Sequence, residues 1–217
     1  MPFFGRVMTL KKARAGDLME FITDMTLRKV VIIVASLNLA YFGVEFAVAV
    51  AIGSVSLFAD SIDFLEDTSV NFLIAVALGW SAIKRARLGM ALAGILLIPS
   101  VATLWTAWQK FMAPLPPAPI PLSVAGTGAL VINLTCAFIL ARFRSHSGSL
   151  TRAAFLSARN DAMANVAIIA AGFVTAYTLS AWPDLIVGLG ILAINADAAR
   201  AVWSAAREEH RQVEEII

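Results

Sequence analysis

The chain has one cysteine and two histidines in 217 residues. A lone Cys136 excludes an intrachain disulfide, and its apolar neighbours mark it as a small buried residue. His146 and His210 both fall outside the apolar runs. Within those runs there is therefore no zinc-type His/Cys cluster and no Ser/His nucleophilic pair. Neither an enzyme nor a resident cofactor is expected. Charge is also scarce: 15% of residues are charged and 59% are hydrophobic, with a mean hydropathy of +0.80. That is too apolar for a soluble domain and reads as an all-α polytopic membrane protein. The net charge of +2 carries no signal of its own, and a nucleic-acid partner is not expected.

Six apolar runs lie near 30–52, 56–83, 88–110, 121–142, 153–179 and 184–204. Each is long enough for the roughly 20 residues that cross a bilayer core, and six crossings put both termini on one side. Fifteen of the 17 Lys and Arg fall on that side; Lys110 stands near the other face and Arg159 inside the fifth run. Cytoplasmic loops carry such an excess, so both termini are expected in the cytoplasm and the protein in a bacterial cytoplasmic (inner) membrane. Residues 1–29 read as a cytoplasmic segment too charged for a signal peptide, with 7–27 either an amphipathic surface helix or a tail. Residues 30–206 form the six-helix unit and 207–217 a short cytoplasmic tail, which leaves no room for a soluble C-terminal domain. Five prolines between Ala113 and Pro121 predict a stiff extended link, and Gly148 breaks the link from Arg144 to Ser149.

Four carboxylates interrupt the second run: Asp60, Asp63, Glu66 and Asp67. A charge in hydrocarbon is expensive unless it meets water, a partner or an ion, so it marks a functional site by default. At 100° per residue Asp60, Asp63, Asp67 and Asn71 share an arc of about 80°, with Glu66 just outside it. The first run places Asn38 and Glu45 on one face, and the fifth clusters Ser157, Asn160, Asp161 and Asn165 while Arg159 points away. By helical rise Asp63 and Asp67 lie ~9 and ~15 Å below one boundary, and Asp161 lies ~14 Å above the other. The two sets meet near the midplane, where transporters place substrate sites. Asp63, Asp67 and Asp161 are accordingly read as a cation site. Asp60 is either a wetted entrance charge or a structural acceptor, and Glu45 either an accessory residue or a partner for a buried donor. Asn133, Asn165 and Asn195 read as packing polars.

The run Asn38 … Glu45 … Ser56-Leu-Phe-Ala-Asp-Ser-Ile-Asp-Phe-Leu-Glu-Asp67 resembles the first two helices of the cation diffusion facilitator family. Arg152-Ala-Ala-Phe-Leu-Ser-Ala-Arg-Asn-Asp161 is similar to that family's fifth helix, with its (His/Asp)-x-x-x-Asp, and Trp182-Pro-Asp-Leu-Ile186 to its lead-in to helix six. The resemblance implies a six-helix, usually homodimeric antiporter that exports divalent transition metals in exchange for protons. Carried over by position, its metal ligands are Asp63, Asp67, Ser157 and Asp161. Serine stands at 157 where the family has His or Asp; Asn160 offers a fourth oxygen instead. Asp60, Glu66, Glu45 and Asn38 are left as accessory or entrance positions. The chain reads as a short form without the family's cytoplasmic domain.

The expected partners are a divalent metal ion, protons, the lipid bilayer and a second copy of the chain. Three carboxylates crowded in low dielectric repel, so a proton is expected among them when no metal is bound. An all-oxygen donor set suits Mn²⁺ or Fe²⁺ over Zn²⁺, Co²⁺ or Cd²⁺. The rival expectation is a membrane interaction subunit that moves no metal, its site degenerate through Ser157 and Arg159.

Overall fold

At the junction of the first two helices, Gly53-Ser54 does two jobs. Gly53 adopts φ +64, the left-handed conformation that glycine takes most cheaply after a helix. The Ser54 amide then reaches back to the Ala49 carbonyl (3.0 Å), which closes α1. The Ser54 hydroxyl in turn accepts the Leu57 amide (3.2 Å), so the same residue caps the start of α2.

The computed structural model describes residues 3–77, 80, 84, 101–141 and 148–195. Among these lie six helices and no strand: α1 (Phe3–Ile52), α2 (Val55–Ala77), α3 (101–112), α4 (Pro119–Ala141), α5 (Gly148–Thr178) and α6 (Trp182–Asn195). The chain is an all-α polytopic membrane protein. Leu27–Ile52, Pro119–Ala141 and Ala154–Thr178 are long and apolar enough to cross a membrane, whereas α2 is set apart by its four acids. The segment before residue 30 is helical from Phe3 and runs into the first span without a break. The 207–217 tail, both histidines, the links 85–87 and 142–147, and residues 88–100 and 196–204 of the third and sixth runs lie outside the described residues.

Two expected boundaries move. The extended link is only 114–118, because α4 already begins at Pro119 and takes in Pro121. A first-turn residue has no intrahelical acceptor for its N–H, so proline is tolerated there, and the first i→i−4 bond comes from Leu122 to Ala118 (3.1 Å). Gly148, read as a breaker, instead opens α5 five residues before the expected start.

Among the described residues apolar side chains gather in two larger clusters and a small one of Val55, Ala107 and Leu185. One larger cluster joins Val31, Val34, Ile74, Cys136, Leu140 and Ala158; the other joins Ala49, Leu57, Leu122, Ala125, Ile168 and Ile191. Along each of α1, α2, α4 and α5 the buried polar residues fall between the two larger clusters: Asn38, Glu45, Asp60, Asp63, Asp67, Asn133 and Asn165. Small residues let α4 and α5 approach closely. A Cβ on Gly126 would meet the Ile168 side chain at 3.0 Å.

The Val55 end of α2 is held from another element altogether. Asp184, three residues into α6 and fully buried, accepts the hydroxyls of Ser54 and Ser56 (2.6 Å each). It also accepts the amides of Val55 (2.9 Å) and Ser56 (3.1 Å). A carboxylate on a helix N-terminus satisfies orphan amides and opposes the helix dipole. Lys110 of α3 completes the knot, lying 3.6 Å from Asp184 and donating to the Gly53 carbonyl. Gly188 makes this contact possible, since a Cβ there would sit 2.8 Å from backbone atoms of Val55 and Ser56.

Candidate metal site

The acidic face of α2 is buried as its spacing predicts: Asp60, Asp63, Asp67 and Asn71 are all shielded, and Glu66, just off the arc, is half-buried. Asp67 and Asp161 are joined through Ser157. The serine hydroxyl lies 3.0 Å from Asp67 Oδ1 and 3.5 Å from Asp161 Oδ2. Ser157 and Asp161 are four apart on α5 and so lie one above the other on one face. Thus α2 and α5 bring together three of the expected ligands.

Asp63 has a donor of its own. Its Oδ1 accepts from the Asn195 amide of α6, and it lines a cleft of about 430 Å³ with Asp161, Asn160 and Asn195. Among the described residues, no three His, Cys, Asp or Glu side chains are gathered tightly enough to ligate one ion. The carboxylates are instead drawn to separate hydrogen-bond donors: Asp67 to Ser157, Asp63 to Asn195. Asn160, expected as a fourth oxygen, is exposed, and its Oδ1 accepts from Arg159 Nη2 (3.4 Å).

Asp60 is fully buried, so it is not a wetted entrance charge; its Oδ2 accepts from Asn165. Asn165 Oδ1 accepts in turn from Asn133 (3.0 Å). Two of the three asparagines read as packing polars therefore contact acids of the polar layer. Asn195 also belongs to the site, and nothing in its sequence context marks it, since a lone Asn in an apolar run looks the same in either role. Glu45 is fully buried, and no described donor reaches either of its oxygens. Asn38 is equally buried and accepts weakly from the Cys136 thiol (3.7 Å).

The chain matches the family described as the cation efflux transmembrane domain over residues 31–208, which covers most of its length, and so belongs to that family. It is similar to the zinc transporter ZitB of Pectobacterium atrosepticum, 26% identical over 168 residues that make up 72% of this chain and 52% of the relative. The chain thus spans about half the length of the curated relative it matches.

Proposed function

We propose that the protein exports divalent transition-metal cations across the cytoplasmic membrane in exchange for protons, through a midplane site of Asp63, Asp67 and Asp161 with Ser157. The observation that carries this reading is the Ser157 bridge between Asp67 of α2 and Asp161 of α5. It puts two expensive charges from different helices within reach of one small ion, deep in the polar layer. The ion takes oxygens from both helices, and Asp63 joins when the ion outcompetes the Asn195 amide. Protons and the cation compete for the same crowded oxygens, so one is released as the other binds. Rocking of the helices about this site then alternates access. Family membership supports a homodimer with lipid around it.

The donors are all oxygen, which suits Mn²⁺ or Fe²⁺ at least as well as Zn²⁺; the matched relative is named for zinc. Ser157→His adds a nitrogen ligand and should tilt preference towards Zn²⁺. A strong preference of the unaltered protein for Zn²⁺ or Cd²⁺ in competition assays would defeat the ligand-hardness reasoning and leave metal export standing.

One observation favours the rival, a non-transporting interaction subunit: Asp63 Oδ1 is already engaged by the Asn195 amide. Retention of buried acids weighs against it, since drift removes costly charges first. Metal-driven proton flux in proteoliposomes decides. Flux across a panel of divalent ions, abolished by Asp67→Ala or Asp161→Ala in normally inserted protein, is the expected outcome. Equal flux from all three proteins would sink the carboxylate site.

A further inference from the structure

Glu45 of α1 and Asp60 of α2 form a second acidic pair, distinct from the cation's oxygens. Both side chains are fully buried. The two carboxyl groups lie close enough to act on each other, and the Asn165 amide donates to Asp60 Oδ2. Three of their four oxygens, both of Glu45 and Oδ1 of Asp60, receive no hydrogen bond from any described residue.

That arrangement is chemically incomplete. An ionised carboxylate can only accept hydrogen bonds, so two facing carboxylates cannot bond to one another. Buried polar oxygens are nearly always paired, and a buried like-charged pair is doubly unfavourable. A single proton between the groups turns one into a donor, removes one charge and satisfies an oxygen on each side.

The described surroundings supply no alternative. On α1, Tyr41 lies one turn from Glu45, but its hydroxyl donates to the Ala125 carbonyl (2.6 Å). On α2 the next acid is Asp63, itself bonded to Asn195 of α6. From α4 and α5 the facing groups are the neutral Asn133 and Asn165, with Asp161 one turn beyond Asn165. Among the described residues the one ion pair is Lys110 with Asp184, so no described cation neutralises the pair.

We propose that Glu45 and Asp60 share one proton, and that this proton is one of those exchanged for the cation. The second clause rests on the proposed exchange; the first does not. On this proposal the pair takes a proton rather than a metal, because the carboxyls lie beside each other and Asn165 already donates to Asp60 Oδ2. Its asparagine relay, Asn133 to Asn165 to Asp60, ties the protonation state of the pair to α4 and α5, the latter carrying Asp161. Loading and unloading of the proton therefore changes what α1 and α2 present to α5.

The test uses the full chain in lipid. Infrared spectra are recorded without metal and again in saturating Mn²⁺, and each variant is subtracted from the unaltered protein. Without metal a protonated-carboxyl band should be present in the unaltered protein and missing from both Glu45→Gln and Asp60→Asn, and saturating Mn²⁺, for which the proton is exchanged, should remove it. In each variant an amide can donate to the surviving carboxylate, so the fold is kept and Mn²⁺ binding by calorimetry stays within about twofold. In proteoliposomes a one-unit pH gradient shifts cation accumulation about tenfold per coupled proton. Glu45→Gln should lower the accumulation ratio by that factor. A metal-free band that survives both substitutions overturns the shared proton, and one that persists in saturating Mn²⁺ overturns its exchange for the cation. An accumulation ratio unchanged by Glu45→Gln overturns its role in exchange. If the unaltered protein moves no cation, the exchange reading fails and the infrared result alone decides the pair.

Discussion

Replacing Asp184 with alanine tests whether α2 is anchored from α6. Asp184 receives two hydroxyls and two amides while lying against Lys110. After truncation the Ser54 and Ser56 hydroxyls, already 3.3 Å apart, bond to each other, so little is lost there. The loss falls on the Val55 and Ser56 amides, at about 1–3 kcal/mol for each buried donor left unpaired. It falls also on the Lys110 ammonium, which keeps only the Gly53 carbonyl. Together these come to about 3–5 kcal/mol, the range found when one member of a buried pair is removed. For a chain of this size each kcal/mol moves the melting temperature by roughly 2–4 °C, so the expected fall is on the order of 10 °C. Thermal unfolding in detergent, followed by fluorescence-detected size-exclusion, measures it. Lys110→Met should destabilise the unaltered protein but add little on top of Asp184→Ala, because its partner is already gone. A drop of less than about 3 °C for Asp184→Ala, roughly one kcal/mol, would show that the knot does not hold α2.

Gly188→Ala places a methyl 2.8 Å from backbone atoms of α2 and should lower the same melting temperature, whereas Gly190→Ala, with nothing within 4 Å, should leave it unchanged. Asn195→Ala releases Asp63 Oδ1 and should tighten Mn²⁺ binding up to about tenfold, since a charge-assisted hydrogen bond contributes about 1.5 kcal/mol or more; unchanged or weaker binding in calorimetry would show that the amide does not restrain Asp63. A topology reporter that is active outside the cell should report when fused after Pro117 and stay silent after Ser147; the reverse pattern would overturn the expected orientation.

The acidic face of α2 and the pairing of Ser157 with Asp161 were legible because helical periodicity is local: residues three and four apart must share a face. The same logic located the apolar runs. The Asp184 knot was not legible. Its signal in the chain is an ordinary Pro-Asp at a helix start, and its true target lies nearly 130 residues away at another helix's N-terminus. Asn195 escaped for the same reason, because one amide in an apolar run has no periodic partner to reveal it. The start of α4 was available and misjudged: prolines at 119 and 121 fit a first helical turn as well as an extended strut. Asn160 was placed correctly near Asp161, but its neighbour Arg159 claims its oxygen, a competition that spacing alone does not show.

Ser157 carries a single hydroxyl hydrogen, yet two carboxylates stand within its reach. It can serve only one at a time, and the closer Asp67 has the better geometry. Asp161, half-buried on the wall of the cleft, goes without this donor whenever Asp67 is served. An asparagine at 157, with two amide hydrogens, would quiet both acids at once. Such a protein would melt later and hold its cargo less well, because the acids would no longer need a cation to settle them. A selection for thermostable variants would therefore favour changes at this position that a selection for metal resistance would discard. At position 157, robustness and the proposed transport pull in opposite directions.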